Sequence, residues 1–426
     1  MRKLAAAPGL ALAVLAVLAA ACENGAPPAS PGTATPAQIV SPTPMAVHVL
    51  PTTVAASPTS AGNQLAYIDA DGNIMLVNAD GSDARRLAGA QGCGHFPSLI
   101  WSPTGHRLIC RGTGTNGEGL IVLMNAQGQE VAELNLPGAA WPFYWSPSGE
   151  AFLYGADGQL LLANDSGETL AEPGHLDLSV TYNAVLYRGL KFWSPDGRQF
   201  VYRPADATEM RVYSLDSGSE RSLAGDYRPL AWILGGKALL VATKYEPPVN
   251  GSYPSYEVNL LDLASGDLTR VPELDNGRQF WVSPDGTRAA VLTQGSGGTD
   301  GYPELAILAF PSRESSPIPD SVISYGSDHI PESWLTFTAD GSEIYWITDW
   351  SPGTAIFRAN SDGTSLTKIA DLESTGAQFS PDLTMIAYQV FDEDTHTATL
   401  FTARIDGSDT HVIDSPGFAP AWRPTP

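Results

Sequence analysis

A five-residue phrase, Trp-Ser-Pro-x-Gly, recurs along this chain and constrains its fold more than any other feature. Three copies are complete, and the others are degenerate: one keeps Phe-Ser-Pro-Asp and another keeps only Trp-Arg-Pro. Successive copies begin 39 to 55 residues apart, which is the period of a repeat architecture. We call the first positions of the copies the Trp slots: Trp101, Trp145, Trp193, Trp232, Val282, Phe337, Phe379 and Trp422.

Each unit repeats one internal pattern, which the unit around Trp193 shows most clearly. A strand ends at Trp193, and Ser-Pro-Asp-Gly then forms a tight turn, because proline presets φ and glycine accepts a positive φ. Three further strand patterns follow at 199–202, 210–215 and 220–223. Four short strands in every unit predict one blade of a β-propeller and leave no space for an ordinary helix.

The two ends of the repeat region complement each other. Residues 64–88 supply strands two, three and four of a unit, and residues 418–422 supply only a first strand. We therefore predict an all-β fold, a single β-propeller over residues 62–426 whose C-terminal strand completes the N-terminal blade and closes the ring. Eight Trp slots predict about eight four-stranded blades. Seven blades is the alternative, if neighbouring units absorb the decayed unit at Trp232.

The phrase and the aliphatic-Tyr strand that follows it resemble the TolB-type, WD-like propeller repeat, over the chain from residue 62 onward. Such repeats also occur in the propellers of prolyl-oligopeptidase-like enzymes and of bacterial surface lipoproteins. The resemblance implies the fold and no single activity, since one fold hosts many functions. The peptidases among these proteins carry a hydrolase domain with a Gly-x-Ser-x-Gly elbow, which this sequence lacks, so we do not expect a serine peptidase.

The first 22 residues indicate export. Arg2 and Lys3 precede an apolar run at 10–18, and three alanines then lead to Cys22. This order is typical of a secretory signal peptide. A cysteine directly after small residues resembles the lipobox of bacterial lipoproteins, although Ala19 replaces the usual leucine. The resemblance implies a signal peptide over 1–21, a lipid on Cys22, and anchoring at the cell surface or in the periplasm; a plain signal peptide is the alternative.

Two further predictions follow from the residues after the signal. Residues 22–61 are rich in Pro, Ala, Thr and Ser and have no sustained apolar period, which predicts a disordered tether. The remaining cysteines, Cys93 and Cys110, fall around one predicted hairpin of a protein that we expect where thiols oxidise. We predict a disulfide between them, and two free buried thiols are the alternative.

Composition excludes some classes of partner. Asp and Glu (46) outnumber Lys and Arg (23), which gives a formal net charge of −23. Nucleic acid and anionic lipid surfaces are poor partners for such a chain, because phosphate binding needs a basic face. The seven histidines are scattered and form no pair at metal-ligand spacing. We therefore predict no metal and no cofactor.

The predicted blade sorts its connections onto two faces. The turns from strand one to two and from three to four are short and lie on one face, which we call the turn face. The links from strand two to three and between blades lie on the other, the loop face, where binding residues concentrate on a rigid scaffold. Long stretches on the loop face are predicted at 172–188, 244–255, 294–303, 311–333, 348–353 and 390–397.

A candidate ligand site lies at the loop-face mouth of the channel. Residues four to six places before the Trp slots should ring this mouth, and three of them are arginines in adjacent blades. Crowded guanidinium groups need an anion or carboxylate, and arginine binds either in bidentate fashion. The alternative is that each arginine pairs locally, for example with Asp226 or Asp275, or points to solvent. The predicted ring comprises His95, Trp141, Arg188, Arg228, Arg278 and Glu332.

Together these features predict a binding module without catalytic activity. We expect a lipid-anchored, extracytoplasmic propeller that acts as a binding or scaffold module for a protein, peptide or glycan at the cell envelope. An accessory subunit of a secretion or cell-wall complex is one alternative. A propeller lyase or cyclase with a metal in its channel is another.

Overall fold

Turns at regular intervals divide the described part of the chain into 32 short strands, numbered β1–β32 in chain order. These strands belong to one unit, Met45–Pro426. The computed structural model describes residues 48–49, 63–87, 98–113, 118–137, 140–175, 192–205, 207–246, 255–277, 279–293, 304–318, 335–350, 353–374, 377–392 and 394–425.

The Ser-Pro-x-Gly phrase forms the turn between the first two strands of a blade. In blade 4, Gly197 has a φ of 69° and donates its N–H to the Ser194 carbonyl at 2.8 Å. The Ser194 hydroxyl accepts the N–H of Gln199 at 2.9 Å, which fixes the start of the next strand. In blade 8 the phrase ends in Leu383 instead of glycine, and Leu383 still adopts a φ of 58°. The turn is therefore set by the repeat even where its glycine is lost.

Blades 1 to 4 come from the two ends and the first half of the repeat region. Blade 1 has the order β32–β2–β3–β4: Phe418–Trp422, Gln64–Ile68, Ile74–Asn78 and Arg85–Arg86. Blade 2 contains β5–β8: Ser98–Trp101, Arg107–Thr113, Gly119–Asn125 and Glu130–Leu136. Blade 3 contains β9–β12: Ala140–Trp145, Ala151–Ala156, Gln159–Asn164 and Thr169–His175. Blade 4 contains β13–β15, with a bridge from Trp193 to Phe200 in the place of its first strand: Gln199–Tyr202, Met210–Ser214 and Ser219–Leu223.

Blades 5 to 8 follow in sequence order. Blade 5 contains β16–β19: Arg228–Ile233, Ala238–Glu246, Ser255–Asp262 and Leu268–Arg270. Blade 6 contains β20–β23: Gln279–Val282, Arg288–Thr293, Glu304–Ala309 and Ser315–Pro317. Blade 7 contains β24–β27: Leu335–Phe337, Glu343–Trp350, Gly353–Asn360 and Thr367–Leu372. Blade 8 contains β28–β31: Ala377–Phe379, Met385–Asp392, Thr397–Arg404 and His411–Asp414.

Helical structure in the described residues is limited to two 3₁₀ turns in blade 5, Leu234–Gly236 and Pro272–Leu274. A search of the same residues for a helix long and apolar enough to cross a membrane finds none. The prediction of an all-β fold is therefore confirmed.

The ring is closed by the core that neighbouring blades share. Each adjacent pair of blades contributes side chains to a common hydrophobic cluster. The cluster that joins the ends packs Leu65 and Trp422 of blade 1 against Ala387 and Leu400 of blade 8. Eight blades and closure by the C-terminal strand are thus confirmed. The seven-blade alternative is wrong, because the unit at Trp232 forms a complete four-stranded blade.

The tryptophans of the Trp slots bind neighbouring blades together. In four blades, the indole N–H of the tryptophan donates a hydrogen bond to a backbone carbonyl of the preceding blade. That carbonyl belongs to the residue directly before the preceding blade's own Trp slot. The indole of Trp145 is the exception, since its buried N–H has no partner in the described part of the chain. The four bonds are Trp101 to Ala421 at 3.2 Å, Trp193 to Tyr144 at 2.9 Å, Trp232 to Phe192 at 2.8 Å and Trp422 to Gln378 at 3.1 Å.

One strand lies inside the segment predicted to be a tether. The two-residue strand β1, His48–Val49, pairs antiparallel with β8 at the outer edge of blade 2. The outermost strand of a blade carries unpaired backbone groups, and these offer a template for an added strand. The sequence pattern did not predict this pairing. Cys22 and the rest of the predicted tether lie outside the described residues.

Candidate functional site

Of the six residues predicted to surround the loop-face mouth of the channel, only two lie in the described part of the chain. His95, Arg188, Arg278 and Glu332 lie outside the described residues. Trp141 is described by its backbone alone, which pairs with Gly155 in blade 3. The anionic site that we predicted from three converging arginines therefore stays a prediction.

Arg228 is the one member of that ring whose surroundings are described. Its guanidinium carbon lies 4.0 Å from the ring centroid of Tyr245, a cation–π contact. A guanidinium nitrogen lies 3.9 Å from the carboxylate of Asp226, and Arg203 binds the same carboxylate at 2.6 Å. The local pairing with Asp226, given above as the alternative, is therefore present. Asp275, the other suggested carboxylate, is paired with Arg270.

Several other arginines bind blades together on the turn face. Arg107 of blade 2 donates to the backbone carbonyl of Asp165 in blade 3 at 2.8 Å, and its second arm lies 3.2 Å from the carboxylate of that residue. Arg288 of blade 6 reaches the carbonyl of Ser361 in blade 7 at 3.2 Å. Such side chains satisfy carbonyls at the turns between strands three and four, so they belong to the scaffold.

Of the two cysteines predicted to form a disulfide, only Cys110 lies in the described part of the chain. Cys110 lies on β6, fully buried between blades 1 and 2, and it is disulfide-bonded. Its predicted partner Cys93 lies outside the described residues, so the pairing of these two cysteines stays a prediction.

The hairpins that rise toward the loop face differ in height between blades. In blade 8, the β29–β30 ladder continues to Asp392, six residues past the residue paired with the Trp slot. In the neighbouring blade 1, the β2–β3 ladder ends at Ile68, three residues past the equivalent position. At about 3.3 Å per residue, the blade 8 hairpin rises about 10 Å above blade 1.

In two of the predicted loops the flanking strands extend further than expected, for this reason. Most of 348–353 is strand, because Asp349 pairs with Thr354 and Trp350 with Gly353. Half of 390–397 is strand as well, since β29 runs to Asp392 and β30 starts at Thr397. Continued pairing satisfies backbone groups that a loop would leave to solvent.

The raised hairpin of blade 8 carries exposed aromatic surface. Phe391 is 47% exposed, and Phe418 of the adjoining strand β32 is 41% exposed. Gly417, directly before Phe418, donates its N–H to the Ala398 carbonyl at 3.1 Å and accepts the Gln389 amide at 2.6 Å. These bonds place Phe418 at the base of the hairpin that bears Phe391. Two large exposed apolar side chains therefore share one part of the loop face.

The tip of this hairpin is acidic. Backbone N–H groups of Thr395 and Asp394 hydrogen-bond the Asp392 carboxylate and hold its pKa below its ordinary value. The ring of His396 lies 6.3 Å from that of Phe391. An ionised carboxylate thus stands next to the exposed aromatic surface at neutral pH.

A cavity of about 870 Å³ occupies the central channel toward the turn face. All eight blades contribute to it through the last residues of their innermost strands and the turns that follow. No described residue that lines it is charged. Aromatic side chains of the Trp slots and their neighbours form the walls, and prolines of the repeat phrase stand at the rim: Pro103, Pro147, Pro195, Pro284, Pro381 and Pro424.

The sequence contains a pattern that indicates this cavity, although we interpreted it above only as evidence for turns. Proline recurs two residues after six of the eight Trp slots. Closing the ring brings these equivalent positions to one mouth. The described residues contain no group of three or more His, Cys, Asp or Glu side chains that could hold a metal ion.

Comparison with known proteins identifies a fold. No protein-family model matches the chain, and a search of curated proteins finds no match. A eukaryotic initiation factor structure is similar over 86% of this chain and 100% of its own, at 15% identity and a TM-score of 0.52. The dihydro-heme d1 dehydrogenase NirN is similar over 87% of this chain and 76% of its own, at 15% identity and a TM-score of 0.56. At this identity the similarity shows the propeller alone.

TolB from Acinetobacter baumannii also matches, over 77% of this chain and 82% of its own, at 14% identity and a TM-score of 0.34. The initiation factor and NirN, two proteins with quite different names, share this architecture. Function has to be argued from the sites of this chain.

Proposed function

We propose that this protein is a lipid-anchored, extracytoplasmic β-propeller without catalytic activity that binds a protein partner through its loop face. The observation that carries the proposal is the exposed aromatic surface of the raised blade 8 hairpin, formed by Phe391 with Phe418 at its base. Aromatic side chains are enriched in protein interfaces, where they bury a large area at a small entropic cost. A rigid ring that raises such residues above their surroundings presents them for contact.

Charge narrows the kind of partner. The hairpin tip carries Asp392 and Asp394, and the whole chain has a formal net charge of −23. A second copy of this chain would bring carboxylates against carboxylates, which disfavours self-association through this face. The proposed partner is therefore a protein whose apolar contact surface is bordered by Lys or Arg. Association should then weaken as salt rises, since salt screens exposed charges.

Attachment to the membrane is proposed from the sequence around Cys22. The Cys22→Ala variant lacks the thiol that the lipid would modify. We expect the variant to move from the membrane fraction to the medium or periplasm, because one or more acyl chains supply the anchoring energy. Fractionation followed by a high-salt wash measures this, with Thr53→Ala, a change elsewhere in the predicted tether, as the control. A Cys22→Ala protein that stays on washed membranes contradicts the anchor.

Partner binding is tested with a photo-crosslinking amino acid placed at Phe391 in intact cells. We expect a discrete crosslinked product from this position and from Phe418. Val412 provides the matched control, because it is an apolar side chain of the same blade, 63% exposed, on the outermost strand. Position 412 should give no such product.

A second arm tests the chemistry of the contact. Phe391→Ser should abolish the product formed from position 418, whereas Val412→Ser should leave it unchanged. Equal crosslinking from positions 391 and 412, or a product that persists in Phe391→Ser, would show that the raised hairpin is not the binding surface.

A further inference from the structure

We infer that the central channel at the turn face is a second binding site, for one uncharged and largely apolar small molecule. This site goes beyond the proposed function, which uses the opposite face. The cavity of about 870 Å³ falls within the range of about 300–1,000 Å³ that is usual for small-ligand pockets. Every blade contributes to its wall.

The aromatic walls of the cavity are preorganised for ligand binding. Trp193, Trp232 and Trp422 line the cavity, and their indole N–H bonds to the preceding blade hold their rings in place. A ring fixed in this way loses little conformational freedom when a ligand contacts it. Preorganised apolar walls therefore convert more of the contact energy into affinity.

The polarity of the channel selects a neutral ligand. No described lining residue is charged, so a charged group would enter without a counterion and lose its hydration. Exposed carboxylates stand at the same rim: Asp285 and Asp382 each follow a proline that lines the cavity, and Asp340 occupies the same turn in blade 7. Bonds from the Thr338 hydroxyl and from Ser342 lower the pKa of Asp340 to about 2. The wall therefore disfavours an anion, because no described side chain in it can neutralise one.

One polar group in the wall can orient the ligand. Gln378 lines the cavity, is half-buried, and its side-chain amide makes no hydrogen bond within the described part of the chain. An amide both donates and accepts, so it suits a ligand with a single N–H, hydroxyl or carbonyl group. A sugar, with many hydroxyls to satisfy, finds too few partners in this wall.

The test compares two probes that differ by one charge. N-phenyl-1-naphthylamine is neutral and apolar with one N–H, and 8-anilinonaphthalene-1-sulfonate carries the same ring system with an added sulfonate. Fluorescence titration of the full protein should show saturable binding of one molecule of the neutral probe per chain. The sulfonate should bind about tenfold more weakly or worse. Equal affinity for the two probes would overturn the inference.

Variants locate the binding. Ile100 is half-buried in the wall, and Ile100→Trp should weaken the neutral probe by about tenfold or more by filling the channel. Leu170→Trp is the control, since Leu170 is 49% exposed on the outermost strand of blade 3. If Ile100→Trp fails to fold, Thr336→Phe, from the wall contributed by blade 7, replaces it. Unchanged binding in a folded channel variant would overturn the site.

The oriented contact has its own variant. Gln378→Leu keeps the size of the side chain and removes its hydrogen-bonding atoms. We expect it to weaken the neutral probe by about three- to tenfold, the value of one hydrogen bond. Because the crosslinking experiment at Phe391 reports on the other face, failure of either experiment leaves the other result standing.

Discussion

A protein that ends at residue 415 is expected to be severely destabilised, because the missing strand β32 is the innermost strand of blade 1. Trp422 packs between blades 1 and 8 and donates to the Gln378 carbonyl, and Trp101 of blade 2 donates to the Ala421 carbonyl. Loss of a buried tryptophan costs about 3–5 kcal/mol, and each hydrogen bond adds about 1 kcal/mol. The sum approaches the whole stability of a typical domain, about 5–15 kcal/mol.

Arg423 increases this cost. Its guanidinium is buried, donates to the Gly105 carbonyl of blade 2 at 2.9 Å and to the Gln64 side chain at 2.7 Å, and lies 5.4 Å from the Trp101 ring. Removal of the strand also exposes the edge of β2, whose backbone groups were paired with it. An open edge of this kind favours aggregation as well as unfolding.

Thermal melting followed by circular dichroism measures the effect. We expect either no cooperative transition or a midpoint lower by more than about 10 °C. A protein that lacks only residues 425–426, which lie past the last strand, is the control and should melt like the parent. Moving residues 416–425 to a position just before Asn63, through a short glycine linker, should restore the transition. A truncated protein with the midpoint of the parent would contradict closure by β32.

The fold was predictable because the repeat fixes local and global structure at once. Each Ser-Pro-x-Gly turn sets the start of a strand, as the bond between Ser194 and Gln199 shows, and the strand patterns predicted at 199–202 and 210–215 match β13 and β14 to within one residue. Closure followed from counting strands at both ends. Even the decayed unit at Trp232 keeps the indole bond that Trp101 and Trp193 make in two complete units.

The height of the hairpins was not predictable from the same pattern. Trp350-Ser-Pro-Gly and the acidic run after Phe391 contain turn-forming residues, and these look alike in a long loop and at the tip of an extended ladder. How far a ladder continues depends on pairing with the partner strand and on neighbouring blades, which local composition does not contain. Phe391, one of the two aromatic residues that carry the proposed function, lies on this unpredicted extension, whereas Phe418 lies on the predicted strand β32.

The channel was missed for a different reason. A residue such as Pro284 has two roles, since it presets the turn and also lines the cavity, and the first role explained it fully at the level of sequence. Only a closed ring brings the equivalent prolines together. The loop-face residues that we selected instead include Arg188 and Arg278, which lie outside the described residues.

Close contact between blades 5 and 6 at the turn face predicts a second large effect, a loss of stability when a turn glycine is replaced by alanine. Gly286 and Gly341 occupy the same turn position in blades 6 and 7, with φ of 70° and 71°. A Cβ on Gly286 would lie 2.7 Å from the backbone nitrogen of Gly235 and 2.8 Å from that of Leu234, both in blade 5. A Cβ on Gly341 would meet nothing closer than the Cδ of Pro284, at 3.8 Å. The two positions share backbone strain and differ in crowding.

Alanine at each position therefore separates the two costs. Gly341→Ala should lower the free energy of unfolding by about 1–2 kcal/mol, the cost of a left-handed conformation in an L-residue. Gly286→Ala should lower the free energy of unfolding by a further ~1–3 kcal/mol, because its methyl group would push the backbones of blades 5 and 6 apart. The same displacement weakens the hydrogen bond from the Leu234 N–H to the Gly286 carbonyl, which is 2.8 Å long in the native ring. Urea denaturation of both variants measures the difference. Equal losses would mean that blades 5 and 6 can separate at this turn without cost, and that the turn face is not a rigid rim for the channel.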